Sequence, residues 1–422
     1  MTSTNDVTSR ARTLDKQFSW HPFTPMEAWC APEFEPLVIV GGKGPYLIDS
    51  EGHAYLDGNS SIWVNIHGHA HPRLNAAIAG QLDRIAHSSF LGFTHPLAGE
   101  LAARLCGLFS GSAGEKPTRV FFGDNGSTAI EVAIKISAQY WMQNGQPQRT
   151  RFVSFTEAYH GDTMGAASLG GNALFHERFR VHHFPVTHVR SVAEMDHLPQ
   201  NEVAAVVVEP LIQGVAGMRP WPSGMLAELR AWTKARGIHL ILDEVMTGFG
   251  RTGKMFACQH ENVVPEFLCL AKGLTGGYLP MSATLMPERI FEGFLGEQSR
   301  AVYYGHSYTA NPLGCAAALA SLEIFEEEKT LERLQGKIAL LSDELATLAA
   351  RNPNVGAVRQ CGFIAGIDVT GRSGADVCLR ARKYGLLTRP IRDTVVLMLP
   401  LCVSKVQICE AIAAIGRAAA EV

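Results

Sequence analysis

A chain of 422 residues, 46% apolar and 18% charged, can bury a large core and is long enough for about two or three domains. Its net charge of −3, with both signs mixed throughout, excludes a basic nucleic-acid face and a long acidic tail. No run approaches the roughly 20 apolar residues that cross a bilayer, residues 1–15 lack the apolar core of a secretory signal, and nine scattered cysteines without a CxxC pair read as reduced thiols, so the expectation is a soluble, cytoplasmic protein with no membrane partner.

In chain order, a polar N-terminal tail leads into Trp20-His-Pro-Phe-Thr24 and a Gly-rich strand-and-turn region to about residue 57. From about 70 to 310, short apolar runs alternate with helical patterns. Strands are expected at 119–122, 152–155, 204–209, 240–243 and 267–271; helices include 130–142 and 225–235, which show 3.6-type spacing. Such alternation predicts an α/β fold with a mainly parallel sheet covered by helices on both faces. Helical patterns follow at 312–325 and 331–350, then a smaller α/β segment with strands near 362–369 and 395–399. The expected division is a large domain over 61–315, a small C-terminal domain over 316–422, and an N-terminal segment 1–60 that joins the small one.

Candidate functional residues sit where these strands end, the ligand-binding edge of a doubly wound sheet. Asp243 closes Leu240-Ile-Leu, and Lys272 follows Phe267-Leu-Cys-Leu-Ala. A carboxylate and an amine delivered to neighbouring strand ends suit pyridoxal phosphate: the amine forms an imine and the acid keeps the pyridine nitrogen protonated. Gly126 and Ser127 open a helix after Val120-Phe-Phe, where exposed amides and the helix dipole favour a phosphate. An ordinary cap competes with that reading, since Thr128-x-x-Glu131 fits a capping box. Tyr159 follows another strand and can stack on a flat ring. Glu209 ends the most apolar strand, so it is either a paired structural acid or part of the site.

Two motifs point elsewhere. Gly248-Phe-Gly-Arg-Thr-Gly253 matches a dinucleotide fingerprint and, through Lys254, approaches a P-loop, but Asp-Glu-Val intervenes after the strand and Met255 replaces the P-loop hydroxyl. His67, His69 and His71 would share one face of a strand as a three-His metal site. The Gly and Pro among them suggest a turn instead, and no metal is expected.

Asn125-Gly-Ser127, Tyr159-His-Gly-Asp162, Glu209-Pro210, the run Asp243 to Gly253 and Ala271-Lys-Gly273, in this order, resemble the class III pyridoxal-phosphate aminotransferases from Trp20 onward. Trp20-His-Pro-Phe-Thr24, Trp63-Val-Asn-Ile-His-Gly-His, Gly305-His-Ser-Tyr-Thr and Leu387-Thr-Arg-Pro390 narrow the similarity to the branch that aminates 8-amino-7-oxononanoate in biotin biosynthesis. The resemblance implies fold type I of the pyridoxal-phosphate enzymes and a homodimer with its site at the interface. It implies that Lys272 carries the cofactor, Asp243 meets the ring nitrogen, Gly126 and Ser127 bind phosphate, and Tyr159 stacks on the ring. Glu209 joins the cofactor site, and Ser307 reaches the phosphate of the neighbouring subunit. Arg389 clamps a substrate carboxylate, and Trp63, Phe23, Gly305 and Tyr308 line the substrate pocket.

Two departures stand out. Met246 occupies the position where many relatives acting on ornithine or 4-aminobutyrate carry Gln. Phe23 and Ile62-Trp63 stand where synthases using S-adenosylmethionine commonly have Tyr and paired Trp, so lysine stays open beside S-adenosylmethionine as amino donor. Another class III enzyme acting on ω-amino acids or diamines with a keto-acid acceptor is the rival reading.

Overall fold

Every residue of the strand Val203–Val208 is buried, as required of a parallel strand covered by helices on both faces. The computed structural model describes residues 4–110, 115–371 and 373–421. Among them, seven strands form the central sheet in the order Pro117–Gly123, Ser282–Pro287, Phe267–Leu270, His239–Asp243, Val203–Val208, Arg151–Phe155 and Val186–Val189. Ser282–Pro287 runs antiparallel to both neighbours; the other pairings are parallel. The expected mainly parallel α/β architecture is present. Ser282–Pro287 and the edge strand Val186–Val189 are additions to the sequence expectation.

Helix Gly126–Gln143 starts four residues before its apolar periodicity becomes visible. The capping box lies earlier than expected: Asn125 Oδ1 accepts from the Thr128 amide at 3.1 Å and Thr128 Oγ1 from the Asn125 amide at 3.1 Å. Glu131 instead accepts from Thr163 Oγ1 and the Ala166 amide, which ties this helix to the segment after Tyr159. Asn125 takes only the third helical amide, so those of Gly126 and Ser127 have no intrahelical acceptor.

Helix Pro312–Glu327, capped by Asn311, is buried along most of its length and runs through residue 316, where a domain boundary was expected. It leads to Thr330–Arg351, which packs on Lys405–Ala420 and against Val355–Cys361, a strand of the antiparallel sheet that also contains Ile364–Val369, Thr394–Leu397 and Pro390–Ile391. The N-terminal strands Ile39–Lys43, Tyr46–Asp49 and Ala54–Asp57 form a meander, to which Leu386–Leu387 adds in parallel. The polar tail forms the helix Thr4–Phe18, and residues 1–3 lie outside the described residues. No helix among the described residues is long and apolar enough to cross a membrane.

Candidate active site

The two central parallel strands deliver their charges side by side. His239–Asp243 pairs with Phe267–Leu270, Asp243 opposite Cys269. After Ala271 the chain turns sharply into Lys272, whose φ of 40° is left-handed. Lys272 Nζ lies 4.5 Å from the centroid of the Trp63 ring. Enclosure of this amine holds its pKa down to about 8, while the charges of Asp243 and Glu209 oppose the shift and that of Arg251 adds to it. A lysine so perturbed, beside a carboxylate at a strand end, is suited to react as a neutral amine.

Asp243 is held from two sides. Its Oδ2 takes His160 Nδ1 at 2.8 Å, and its Oδ1 accepts from the Val245 amide at 3.1 Å. His160 Nε2 is in turn 3.3 Å from Ser154 Oγ, so the histidine reaches across the intervening strand to orient the carboxylate. Sequence reasoning gave His160 no role. The available signal was a histidine one residue beyond Tyr159, in a strand-end loop facing a buried acid. Glu209 is buried, and burial pushes its pKa up to about 7; its oxygens accept from the Gly214 amide at 2.8 Å and the Tyr159 amide at 3.3 Å.

The helix start lies on the same rim. The Asp162 amide donates to Ser127 Oγ at 3.1 Å, and Tyr159 Oη donates to Asp162 Oδ2 at 2.5 Å. Loop and helix approach too closely for side chains: a Cβ on Gly161 would stand 2.1 Å from Ser127 Oγ, and one on Gly126 would stand 2.7 Å from Val245 Cγ1. Two unpaired amides, a hydroxyl, a ring-bearing tyrosine, a carboxylate and a depressed lysine are a donor set that fits a phosphorylated heteroaromatic aldehyde.

Lys272, Asp243, Glu209, Tyr159, Ser127, Gly126 and Trp63 thus gather around one place. Phe23 is exposed and reaches the rim through Phe175, whose ring is 6.0 Å from that of Phe23 and 5.3 Å from that of Tyr159. Gly305, Ser307 and Tyr308 belong to an exposed loop beside the start of helix Gly126–Gln143, where His306 Nε2 is 3.9 Å from Asp124. Tyr308 packs on His87 there, with centroids 4.8 Å apart. Arg389 is exposed and makes no ion pair among the described residues.

The two other motifs resolve into structure. Segment 248–253 is a chain of turns with left-handed Phe249, Gly250 and Gly253, neither fed directly by a strand nor opening a helix. Its Arg251 is buried and donates to Leu399 O at 2.6 Å and Asn65 O at 2.8 Å. The three histidines diverge: His67 Nε2 meets Ser321 Oγ at 2.9 Å, His69 Nε2 meets Asp57 at 2.9 Å, and His71 faces Glu328 at 3.6 Å.

Comparison with known proteins gives a consistent picture. The model of the family aminotransferase class-III matches residues 30–419. An adenosylmethionine-8-amino-7-oxononanoate aminotransferase of Nitratidesulfovibrio vulgaris is 45% identical, covering 95% of this chain and 80% of that protein. The crystal structure of the protein of that name from Methanocaldococcus jannaschii superposes with a TM-score of 0.93 at 39% identity, over 98% of this chain and 99% of the other. An amine transaminase from an uncultivated Pseudomonas species, solved in its PLP-bound form, gives a TM-score of 0.89 at 34% identity, over 95% of this chain and 98% of the other.

Proposed function

The chain belongs to the class-III aminotransferases, and from that premise we propose that it is the pyridoxal-phosphate-dependent transaminase of biotin biosynthesis that converts 8-amino-7-oxononanoate to 7,8-diaminononanoate. The observation that carries the reading is the depressed Lys272 beside Asp243 at adjacent strand ends, with the Trp63 indole over the amine. Bound pyridoxal phosphate supplies a reactive carbonyl and a cationic ring that draws electrons from the amine-bearing carbon.

The chain's own residues do the rest. Lys272 Nζ would hold the cofactor's carbonyl and, when free, would take the proton from the amine-bearing carbon of the donor. In the separate second half-reaction it would deliver one to the former carbonyl carbon of the acceptor. The first part of that role needs a neutral amine near pH 7. Asp243, oriented by His160, would keep the ring nitrogen protonated. Gly126 and Ser127 would take the phosphate, Tyr159 would stack on the ring, and Glu209 would belong to the cofactor site. In a homodimer, Ser307 of one protomer would reach the phosphate held by its partner. Arg389 would grip a substrate carboxylate through its planar fork, with Trp63, Phe23, Gly305 and Tyr308 around the substrate. The nine cysteines are all unpaired, which supports a reducing, cytoplasmic setting. The large and small domains and the N-terminal segment would divide at about residues 60 and 316.

We take S-adenosylmethionine as the donor, following the names of the relatives. Lysine is the second candidate, because Phe23 offers no hydroxyl and a single indole, Trp63, stands where two are common. The test is a half-reaction on cofactor-loaded protein. One donor should abolish the cofactor's visible band, and 8-amino-7-oxononanoate should restore it. Restoration by a keto acid and never by the ketone would replace this reading with a general ω-aminotransferase.

A further inference from the structure

A cavity of about 250 Å³ lies at the end of the central sheet away from Asp243, lined in part by Arg230, Lys234, His239, Glu266 and Arg289. His239 and Asp243 begin and end one strand, so the two ends are about 13 Å apart. His239 is 2% exposed. Its ring is held by Trp141, stacked at 4.3 Å, and by Tyr140 and Phe267 at 5.1 and 5.6 Å between centroids. Nδ1 meets Ser137 Oγ at 2.9 Å, whereas the buried Nε2 bonds to nothing among the described residues. Ser137 Oγ has no other partner there. The fewest groups are orphaned when the hydroxyl donates to Nδ1 and Nε2 bears the imidazole hydrogen. A buried N–H without an acceptor is unfavourable, and a bound ion or water is its usual partner.

The walls carry an excess of positive charge. Arg230, Lys234 and Arg289 stand against two carboxylates, Glu266 and Glu115. Glu115 is engaged with Lys234 at 2.8 Å. Glu266 accepts from Arg230 Nη1 at 2.8 Å, from the Leu240 amide at 2.8 Å and from Arg289 Nη2. Nε and Nη2 of Arg230, and Nε and Nη1 of Arg289, have no partner among the described residues. Arg149 lies over the Trp141 ring at 4.7 Å and donates only to carbonyls and Gln146, so it adds a further cation without a counter-ion. Burial, then the charges of Arg289, Arg149 and Arg230, hold the His239 imidazole far below its usual pKa, and the ring stays neutral beside them.

We propose that this cavity is a binding site for a small inorganic oxyanion of the phosphate type, held between Arg230, Arg289 and His239 Nε2 and separate from the cofactor's phosphate site. The edge of a guanidinium matches a pair of phosphate oxygens, and the histidine supplies a third donor from the floor. A water takes about 30 Å³, so the volume admits a tetrahedral ion with part of its hydration. Water alone would satisfy Nε2 but leave the excess charge in place, and it is the rival occupant.

The test uses cofactor-loaded protein, in which the cofactor's own phosphate site is filled. Calorimetric titration with inorganic phosphate, at ionic strength held constant with sodium chloride, should show one saturable site per chain. Arg289→Gln should weaken that binding about 10- to 100-fold, the loss of one charge-assisted hydrogen bond, and His239→Leu should weaken it by a smaller factor. Transamination by Arg289→Gln in phosphate-free buffer should match the parent's. No binding at millimolar phosphate, or equal affinity in parent and Arg289→Gln, overturns the proposal. Should the variants not fold, the parent alone decides: crystals of loaded enzyme soaked in millimolar selenate should give a selenium anomalous peak beside His239 Nε2. Only water at that position refutes the site.

Discussion

The protonation of Lys272 is the most direct quantity to measure. Enclosure moves it from 10.5 to about 8, so at pH 7 about one amine in ten is neutral, roughly 300-fold more than for an unperturbed lysine. Asp243 and Glu209 both pull the value upward. Asp243→Asn removes one of those charges, and Glu209→Gln removes the other when its acid is ionised, so each substitution should lower the midpoint below the parent's. The assay is competitive acylation of cofactor-stripped protein with limiting isotope-labelled acetic anhydride from pH 6 to 11, with exposed Lys405 as the internal reference for reagent strength. A Lys272 midpoint at the ordinary value of about 10.4, or one that rises in Asp243→Asn, would refute the electrostatic account of the site.

Gly161→Ala combines a φ of 121° with a Cβ only 2.1 Å from Ser127 Oγ, and backbone strain of about 1–2 kcal/mol predicts roughly tenfold weaker pyridoxal-phosphate binding, read by equilibrium dialysis; unchanged affinity would dissociate this loop from the phosphate. Asp243→Asn should retain cofactor less tightly and lose at least about 100-fold in kcat, the scale of removing one electrostatic stabiliser; unaltered turnover would remove Asp243 from the reaction. His67 is buried with its pKa lowered to about 3 from 6.5, so the unfolded chain takes up the proton first. Its stability contribution is intact above about pH 6.5 and falls by up to about 1.4 kcal/mol per pH unit on the way to pH 3. Urea midpoints of His67→Gln should therefore decline less between pH 7 and 5 than those of the parent, and parallel curves would count against it.

What the sequence makes visible follows from how buried parallel strands read. Val203–Val208 and His239–Asp243 are continuous apolar runs because both faces are covered, and the residue that ends each run is placed at the ligand-binding edge by the topology itself. Glu209, Asp243 and Lys272 were legible for that reason. Val186–Val189 has one buried residue of four, so the edge strand carries no comparable signal. The pairing of His160 with Asp243 spans 83 residues and depends on which strands become neighbours. The left-handed turn at Ser60–Trp63 contains no glycine to announce it, and its hydrogen bonds run to Asp57, Met398 and Arg251, outside the turn itself. Arg251 was read only as part of a glycine-rich motif, because a carbonyl clamp has no sequence signature.

The parallel pairing of Ala54–Asp57 with Leu386–Leu387 also constrains the birth of the protein. About 330 residues separate the two strands, so at about 5–20 residues per second the ribosome takes on the order of 20–60 s to supply the second after the first has emerged. Throughout that interval the inner edge of the N-terminal meander is an open row of amides and carbonyls, able to pair with any other nascent chain. The meander is short, with four or five residues per strand, which limits what it can capture. Lengthening Ala54–Asp57 by apolar residues would thus be expected to lower the yield of soluble protein during synthesis while leaving the finished enzyme's unfolding midpoint nearly unchanged.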